Sequence, residues 1–251
     1  MSQKTAFITG ATSGIGRATA RLLAEKEYRI IACGRRVDRL NELKEELSGI
    51  APLTPLSFDI RDKHAVAKAI HSLPEEWKNI DLLVNNAGNA HGLSGIQNGS
   101  LEDWDAMIDI NVKGLLYVSK AVIPGMIDRN SGHIINIGSI AGREVYPNGN
   151  VYCASKYAVD AINSGMRIDL NQHNIRVSQI APGLVETEFS LVRFKGDEGR
   201  SEKVYEGYQA LQAKDVADLI VFIATRPSHV NLADVLILPT AQATATTVHK
   251  N

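Results

Sequence analysis

A tyrosine and a lysine four residues apart are the side chains of this sequence best suited to proton transfer. Tyr152 and Lys156 lie in a segment of helical periodicity, so both fall on one face of a predicted helix. A nearby ammonium favours phenolate over phenol and moves the tyrosine pKa down from about 10. Such a phenol can exchange a proton with an alcohol or carbonyl oxygen. Because Tyr-x3-Lys pairs are common on exposed helix faces, the pair needs support from other motifs.

Two further polar residues accompany this pair. Ser139, at the end of a predicted strand, supplies a neutral donor that could hold the same substrate oxygen. Asn111 falls on the apolar face of a predicted helix, where an amide costs free energy unless it is hydrogen-bonded. Asn111 could stabilise a helix bulge or belong to a proton path, and the sequence leaves both roles open.

A glycine-rich turn follows the first predicted strand and leads into a helix. It reads Thr9-Gly10-Ala11-Thr12-Ser13-Gly14-Ile15-Gly16. Glycine lets the backbone approach a pyrophosphate closely, and the free N–H groups of a helix N-terminus attract the anion. The spacing Gly-x3-Gly-x-Gly differs from the Gly-x-Gly-x-x-Gly of most dinucleotide folds. The position of the turn after the first strand is therefore what indicates a dinucleotide site.

The end of the second predicted strand indicates which dinucleotide is bound. In dinucleotide-binding folds an acidic residue usually holds the ribose 2′-hydroxyl of NAD at this place. Here the strand ends in Arg35 and Arg36, whose guanidiniums can hold a 2′-phosphate and stack on adenine. NADP is therefore favoured over NAD. The alternative is a solvated arginine pair, although two cations at a helix start would oppose its macrodipole.

Short apolar runs alternate with longer segments of helical period, which predicts an α/β fold with repeated βαβ units. Strands are predicted at 5–9, 29–33, 53–58, 82–85, 133–137, 176–180 and 235–238. Helices are predicted at 15–25, 37–47, 63–72, 101–128, 151–171 and 214–224. We expect residues 1–251 to form a single Rossmann-type doubly wound domain, with a seven-stranded parallel sheet and helices on both faces. Segments 88–100 and 186–211 lie outside the pattern, and the second is the expected substrate loop.

The composition excludes several classes of protein. With 44% hydrophobic and 22% charged residues, the 251-residue chain is typical of a globular protein. A net charge of −1 leaves no excess positive charge for binding nucleic acid. Cys33 and Cys153 are too few for a disulfide framework or a zinc site, and no histidine has ligand spacing, so no metal is predicted. Without a predicted signal peptide or membrane span, we expect a cytoplasmic protein and no membrane partner.

These motifs together resemble the short-chain dehydrogenase/reductase family over nearly the whole chain. The glycine-rich turn looks like the family's cofactor motif, and 85–88, which reads Asn-Asn-Ala-Gly, matches the motif that supports its central sheet. The residues that match the family's catalytic tetrad, with the serine 13 positions before the tyrosine, are Asn111, Ser139, Tyr152 and Lys156. The resemblance implies a hydride transfer between NADP and a carbinol carbon.

The resemblance also implies a role for each site residue. Tyr152 would exchange the proton, Ser139 would orient the substrate oxygen, and Lys156 would hold the nicotinamide ribose and lower the tyrosine pKa. Asn111 would place a water that connects Lys156 to solvent. The expected cofactor-binding residues are Gly10, Thr12, Ser13, Gly14, Ile15, Gly16, Arg35, Arg36, Asp59, Ile60, Asn86, Ala87, Gly88, Tyr152, Lys156, Pro182, Gly183, Val185 and Thr187.

Segments 187–197 and 238–243 resemble the branch of NADP-dependent 3-hydroxy acid dehydrogenases, which is similar to serine and allo-threonine dehydrogenases. Oxidation of serine, allo-threonine or 3-hydroxyisobutyrate, or reduction of malonic semialdehyde, is the implied activity. Arg193 and Lys195 could bind the substrate carboxylate, or they could face solvent or pair with Glu188 and Asp197.

Two alternatives remain beside this hypothesis. A broad NADPH-dependent carbonyl or 3-oxoacyl reductase would share every catalytic residue and differ only in the substrate loop. A non-catalytic NADP-binding sensor would have no need of an activated phenol, so the intact Ser139, Tyr152 and Lys156 argue against it. The family commonly forms tetramers through the helices predicted here at 101–128 and 151–171, so a homotetramer is expected.

Overall fold

Strands and helices alternate through most of the chain in the computed structural model, which describes residues 3–251. The strands are β1 (Thr5–Thr9), β2 (Arg29–Gly34), β3 (Leu53–Ser57), β4 (Leu82–Asn85), β5 (Gly132–Ile137), β6 (Ile175–Pro182), β7 (Val185–Glu186), β8 (Leu211–Gln212) and β9 (Asp234–Ile237). The helices are α1 (Gly14–Ala24), α2 (Val37–Glu46), α3 (Lys63–His71), α4 (Leu101–Ile108), α5 (Leu115–Asp128), α6 (Asn150–Leu170), α7 (Phe189–Arg193), α8 (Glu198–Lys203) and α9 (Ala213–Ala224).

Seven of these strands form one parallel sheet in the order β3-β2-β1-β4-β5-β6-β9. This confirms the predicted α/β doubly wound fold, and each predicted strand lies within two residues of the observed one. The chain runs outward from β1 to β3 and then restarts on the other side of β1 with β4. Ligands of such sheets bind at the carboxyl ends of the strands where the order reverses. A ligand-binding site is therefore expected beside the ends of β1 and β4.

The sheet is covered on both faces, because neighbouring residues of its central strands point to opposite sides. In β1, Phe7 packs into one apolar layer and Ile8 into the other, and both are fully buried. One layer includes Leu23 of α1 and Ile220 of α9, and the other includes Val118 of α5. Burying each such side chain stabilises the fold by roughly 1.5–3 kcal/mol. The two layers hold the strand ends rigidly in place.

The predicted helix at 101–128 is interrupted. Asp109–Gly114 forms a π-helical segment between α4 and α5, so the single long helix of the sequence-based prediction is wrong at this point. The side chain of Asn111 bonds the backbone of Asn89, which fixes the widened turn on the neighbouring loop. Apolar periodicity continues through the segment, so it gave no sign of the interruption.

The segment at 186–211 is more regular than its composition suggests. It contains the short helices α7 and α8, and β7 pairs in parallel with β8 where the segment begins and ends. Helices of five and six residues are too short to show a helical period in the sequence. Among the described residues, no helix has both the length and the apolar content needed to cross a membrane.

Candidate active site

A cleft of about 340 Å³ opens at the carboxyl ends of β1, β2, β4, β5 and β6. It is lined by eighteen of the nineteen predicted cofactor-binding residues and by Ser139. The eighteen are Gly10, Thr12, Ser13, Gly14, Ile15, Arg35, Arg36, Asp59, Ile60, Asn86, Ala87, Gly88, Tyr152, Lys156, Pro182, Gly183, Val185 and Thr187. Residues from seven separate parts of the chain thus meet in one groove.

The glycine-rich turn has the shape that a pyrophosphate requires. Gly10 and Gly14 adopt φ values of +68° and +50°, which favour glycine. A Cβ at Gly10 would lie 2.8 Å from Nδ2 of Asn86, so the turn also packs too closely for a side chain. α1 begins at Gly14, and its N-terminal N–H groups have no side-chain cap at Ser13. These groups fit an anionic cofactor at the floor of the cleft.

Gly16, the remaining predicted cofactor residue, does not line the cleft. A Cβ at this position would overlap the carbonyl oxygen of Gly10. The glycine therefore lets α1 pack against the preceding turn, and its contribution to cofactor binding is indirect.

Thr9 and Asn86 join the ends of β1 and β4, between which the cleft opens. The Thr9 hydroxyl accepts hydrogen bonds of 3.0 Å from the backbone N–H groups of Asn86 and Ala87. In return, Nδ2 of Asn86 donates to the Thr9 carbonyl oxygen over 2.9 Å. This pairing holds the glycine-rich turn against Ala87 and Gly88. The role of Thr9 did not emerge from the sequence.

The two arginines after β2 point to different partners. Arg36 turns toward the glycine-rich turn, where its Nε and Nη2 donate to Thr12 Oγ1 at 3.2 and 3.0 Å. Its Nη2 also donates to Ser13 Oγ over 2.8 Å. Arg35 instead lies 3.8 Å from Asp59 and is more than half exposed. Arg36 is therefore the guanidinium fixed beside the glycine-rich turn.

Glu188 completes this arrangement. Its Oε2 accepts from Nη1 of Arg36 over 2.8 Å, and its Oε1 accepts from Nη1 of Arg39 over 2.5 Å. Partial burial opposes ionisation, but the hydrogen bonds from both arginines hold the pKa of Glu188 below its ordinary value. We call Thr12, Ser13, Arg36, Arg39 and Glu188 the arginine end of the cleft.

Asp59 is held by a separate ion pair. Hydrogen bonds from the Arg61 side chain, the strongest at 2.6 Å, hold its pKa below the ordinary value despite partial burial. The carboxylate and Ile60 both face the cleft, at the place expected for adenine.

Tyr152 and Lys156 lie at the opposite end, both on α6 and both buried. Lys156 Nζ donates to the carbonyl oxygen of Ile137 over 3.0 Å and lies 6.0 Å from the centre of the Tyr152 ring. Burial lowers the pKa of Lys156 to about 8. Ser139 also lines this end of the cleft, and Arg193 lies beside Tyr152 in a smaller adjoining pocket. We call these residues, together with Asn111, the tyrosine end of the cleft.

The pKa of Tyr152 differs from the sequence-based expectation. Burial raises it above the ordinary value and the neighbouring Tyr146 raises it further, while the Ser139 hydroxyl and the charge of Arg193 lower it. The lysine ammonium was expected to lower this pKa, but it is directed at the Ile137 carbonyl. In this structure desolvation of the phenol therefore outweighs the nearby cations.

Asn111 lies behind Lys156 in the π-helical segment. Its Nδ2 donates to the Asn89 carbonyl oxygen over 2.8 Å and to Ser155 Oγ over 3.0 Å. A Cβ at Gly88 would come within 2.9 Å of Asn111 Oδ1 and 3.6 Å of Lys156 Nζ. The absence of a side chain at Gly88 thus lets the amide and the ammonium approach one another. Asn111 stabilises the helix bulge and also borders Lys156, so its position is compatible with both suggested roles.

Of the two cations predicted in the substrate loop, only Arg193 reaches the tyrosine end. Its Nη2 donates to the Tyr146 hydroxyl over 2.9 Å, and its guanidinium carbon lies 5.5 Å from the ring centres of Tyr146 and Tyr152. Lys195 instead forms a 3.0 Å ion pair with Asp103 and remains mostly exposed. The suggested pairings with Glu188 and Asp197 do not form, because Glu188 binds Arg36 and Arg39, and Asp197 caps α8.

Besides Thr9, sequence reasoning missed three further residues of the site. Arg39 follows Arg36 by three residues, a helical step that could have revealed it. Tyr146 lies in a loop, and Glu188 lies far from its arginine partners in sequence. Neither has a local pattern that could have indicated its contacts. Among residues 3–251, no three His, Cys, Asp or Glu side chains gather as a metal site.

The fold and the cleft agree with a family of known proteins. Residues 4–197 match the short chain dehydrogenase family, and the chain belongs to that family.

Individual relatives resemble nearly the whole chain. It is 47% identical over 240 residues to the NADP-dependent 3-hydroxy acid dehydrogenase YdfG of Escherichia coli, covering 95% of this chain and 96% of that one. It is 46% identical over 238 residues to sulfoacetaldehyde reductase 2 of Chromohalobacter salexigens, covering 94% of each. A closed form of serine dehydrogenase complexed with NADP+ has a TM-score of 0.92 and 46% identity, covering 98% of this chain and all of that one.

Proposed function

We propose that this protein is an NADP-dependent oxidoreductase that transfers a hydride between NADP(H) and the 3-hydroxyl or 3-oxo group of a short hydroxy acid. The observation that carries the proposal is the position of Arg193, whose guanidinium lies 5.5 Å from the Tyr152 ring. A cation at that distance can hold an acid group while the phenol contacts an oxygen a few bonds away. The names of the relatives, which include a 3-hydroxy acid dehydrogenase and a serine dehydrogenase, support the same substrate class.

The glycine-rich turn fits a dinucleotide, because it leaves no room for side chains and presents a helix N-terminus to an anion. Bound NADP would supply the hydride acceptor, and NADPH the donor. The chain would place the nicotinamide by contacts from Pro182, Gly183, Val185 and Thr187, and the 2′-phosphate of the adenosine by Arg36 at the arginine end. Both regions line the same cleft.

In the proposed mechanism, Tyr152 exchanges a proton with the substrate oxygen and Ser139 donates a hydrogen bond to the same oxygen. Lys156 would hold the nicotinamide ribose, and its ammonium would lower the free energy of the phenolate as that charge develops. Asn111 holds the segment beside Lys156 and places the water through which the lysine exchanges protons with solvent. The mutual burial of Tyr152 and Lys156 supports these roles, because charges interact more strongly away from water.

The substrate loop at 186–211 would supply the specificity. Within it, Arg193 would bind the carboxylate, positioned by its bond to Tyr146 and by the 3.2 Å hydrogen bond from its Nε to the Gly92 carbonyl oxygen. A sulfonate could bind the same guanidinium, and one relative is named as a sulfoacetaldehyde reductase. The proposed substrate class is therefore a short acid whose hydroxyl or carbonyl carbon is two bonds from the carbon or sulfur of its acid group.

Initial rates of nicotinamide absorbance change test the proposal. We expect oxidation of serine, allo-threonine or 3-hydroxyisobutyrate with NADP and much slower rates with NAD. Sulfoacetaldehyde reduction should be measured beside malonic semialdehyde, since the preferred acid group distinguishes the two relatives. Reduction of simple ketones or 3-oxoacyl thioesters without activity on any free acid would contradict the substrate class and favour a broad carbonyl or 3-oxoacyl reductase. NADP binding with no turnover of any substrate would favour the sensor.

The role of Arg193 can be tested separately. Arg193→Met removes a charge-assisted hydrogen-bond donor and should raise the KM of an acid substrate by about 10- to 100-fold, with a much smaller effect on a neutral ketone. Lys195→Met should leave both KM values unchanged, because its ammonium is paired with Asp103 outside the cleft. Equal losses on acid and neutral substrates would contradict a carboxylate-binding role for Arg193.

A homotetramer and a cytoplasmic location are part of the proposal. In support of the first, α4, α5 and α6 expose the apolar residues Leu101, Leu116, Tyr157 and Ile168. A solution mass of 27.3 kDa would contradict assembly. In support of the second, both cysteines are free thiols and buried, as suits a reducing compartment. Cell fractionation with an antibody to the protein would test the location.

A further inference from the structure

The Glu188 carboxylate occupies the place in the cleft where the phosphate of a ligand is expected. It lines the cleft together with Thr12, Ser13 and Arg36. Its two oxygens bridge Arg36 and Arg39, which belong to α2 and the residue just before it. Glu188 itself comes from the loop on the other side of the cleft, 152 residues later in the chain than Arg36. The carboxylate thus crosses the groove to reach both guanidiniums.

The hydrogen-bond donors of Arg36 are largely in use in this arrangement. Nε and Nη2 donate to Thr12 Oγ1, Nη2 also donates to Ser13 Oγ, and Nη1 donates to Glu188. A guanidinium has five N–H donors, so only one remains for a further acceptor. Thr12 and Ser13 position the arginine on the glycine-rich turn. A phosphate that binds Arg36 through two donors must therefore take the one that Glu188 holds.

We propose that Glu188 is an internal competitor of the NADP 2′-phosphate: it pairs with Arg36 and Arg39 in the free protein, offsetting one of their two positive charges, and is displaced when the phosphate binds. This inference rests on the proposed use of NADP. A dinucleotide without the 2′-phosphate would leave the carboxylate on its arginines. Glu188 therefore weakens the binding of NADP and NADPH without affecting NAD, and it limits how firmly the product nucleotide is retained.

The negative charge of Glu188 opposes the binding of the 2′-phosphate. The two arginines keep the carboxylate ionised at neutral pH, so in the phosphate-bound protein it would stand as a like charge beside a dianion. Its ion pairs are about two-fifths exposed and individually weak, so a phosphate can replace them. The opposing possibility is that Glu188 only fastens the loop to α2. In that case its removal would lower stability and would not strengthen the binding of a phosphate.

Calorimetric titration of the full-length protein with adenosine 2′,5′-bisphosphate, and separately with AMP, tests the inference. Glu188→Gln should bind the 2′,5′-bisphosphate about three- to tenfold more tightly than wild type, while the affinity for AMP stays the same. Glu188→Ala, which removes the acceptor atoms as well as the charge, should strengthen binding at least as much. Glu186→Gln is the matched control, because this nearby carboxylate pairs with Gln212 and should change neither affinity.

The outcomes separate this inference from the proposed function. Wild-type protein that binds the 2′,5′-bisphosphate no more tightly than AMP, which lacks only the 2′-phosphate, would overturn the use of NADP itself. If wild type shows that preference but neither Glu188 variant binds the bisphosphate more tightly, the competition is overturned and the use of NADP stands. Tighter binding of both nucleotides by the Glu188 variants would also overturn the inference, because the effect would not depend on the 2′-phosphate.

Discussion

The tyrosine end and the arginine end of the cleft use charged side chains in opposite ways. Tyr152 and Lys156 are only 8% and 7% exposed, and desolvation is the largest influence on both of their pKa values. At the arginine end, the side chains of Arg36 and Glu188 are 42% and 38% exposed, and the contacts from the arginines together outweigh the desolvation of the Glu188 carboxylate. A buried group has few alternatives to its native contact, whereas a half-exposed group can exchange its partner for water or for a ligand.

This difference predicts which property a substitution at each end of the cleft should change. Changes at the tyrosine end should alter the chemical step and the pH dependence of stability, because protonation states are decided there. Changes at the arginine end should alter nucleotide affinity and selectivity, because the protein and the ligand offer competing anions there. A substitution tests this contrast best when it changes one of these sets of properties and leaves the other as in wild type.

The largest expected effect is on the chemical step. Tyr152→Phe removes the phenolic proton and should lower kcat by roughly 10³-fold, in line with the loss of general acid–base catalysis. Nucleotide affinity should remain close to that of wild type, because the ring and its packing are retained. Tyr157→Phe on the same helix is the control, since Tyr157 bonds the Arg143 carbonyl at the surface and should retain full activity. Turnover by Tyr152→Phe at the wild-type rate would contradict proton transfer by Tyr152 and, with it, the contrast between the two ends of the cleft.

The second effect concerns stability and follows from the buried ammonium. The pKa of Lys156 is about 8 in the folded protein against 10.5 for an ordinary lysine. Between these values the unfolded chain binds more protons, so Lys156 adds stability as pH rises and its destabilising effect is fully present below the folded pKa. Relative to Lys156→Met, wild type should therefore gain about 3 kcal/mol of unfolding free energy between about pH 7 and pH 10.5.

Urea unfolding of the nucleotide-free proteins at a series of pH values would measure this change. Titrating groups that do not adjoin Lys156 are common to both proteins and cancel in the difference. Lys44→Met removes an exposed lysine on α2 and should show a nearly constant difference from wild type. A constant difference for Lys156→Met as well would mean that burial does not control the protonation of this lysine.

Sequence reasoning succeeded where a local pattern carries the structure. Alternating apolar runs located the strands of the main sheet to within two residues, and the glycine-rich turn showed where β1 ends. Ser139, just after β5, meets Tyr152 and Lys156 of α6 in the cleft at the carboxyl edge of the sheet, which is where such folds bind their ligands. Periodicity and turn chemistry are properties of neighbouring residues, so one sequence is enough to read them.

The remaining features depend on contacts between distant parts of the chain. The π-helical segment around Asn111 is stabilised by the Asn89 backbone, which no helical period reports. Arg193 finds Tyr146 and Glu188 finds Arg36 only after the sheet has formed. The pKa of Tyr152 likewise depends on burial, which reversed the effect that its spacing from Lys156 suggested. Partner choice and solvation are thus the properties that the sequence left open.

The smallest of these effects tests the two arginines against each other. Arg36 is fixed on the glycine-rich turn, so Arg36→Met should raise the Kd of NADP by about tenfold and leave that of NAD unchanged. Arg35 lies beside Asp59 and is more exposed, so Arg35→Met should weaken both nucleotides slightly and equally, as loss of adenine stacking would. Fluorescence titration of both variants with both nucleotides distinguishes these patterns. Selective loss of NADP binding in Arg35→Met, with Arg36→Met unaffected, would assign the phosphate to the other guanidinium and remove the arginine end as defined here from phosphate recognition.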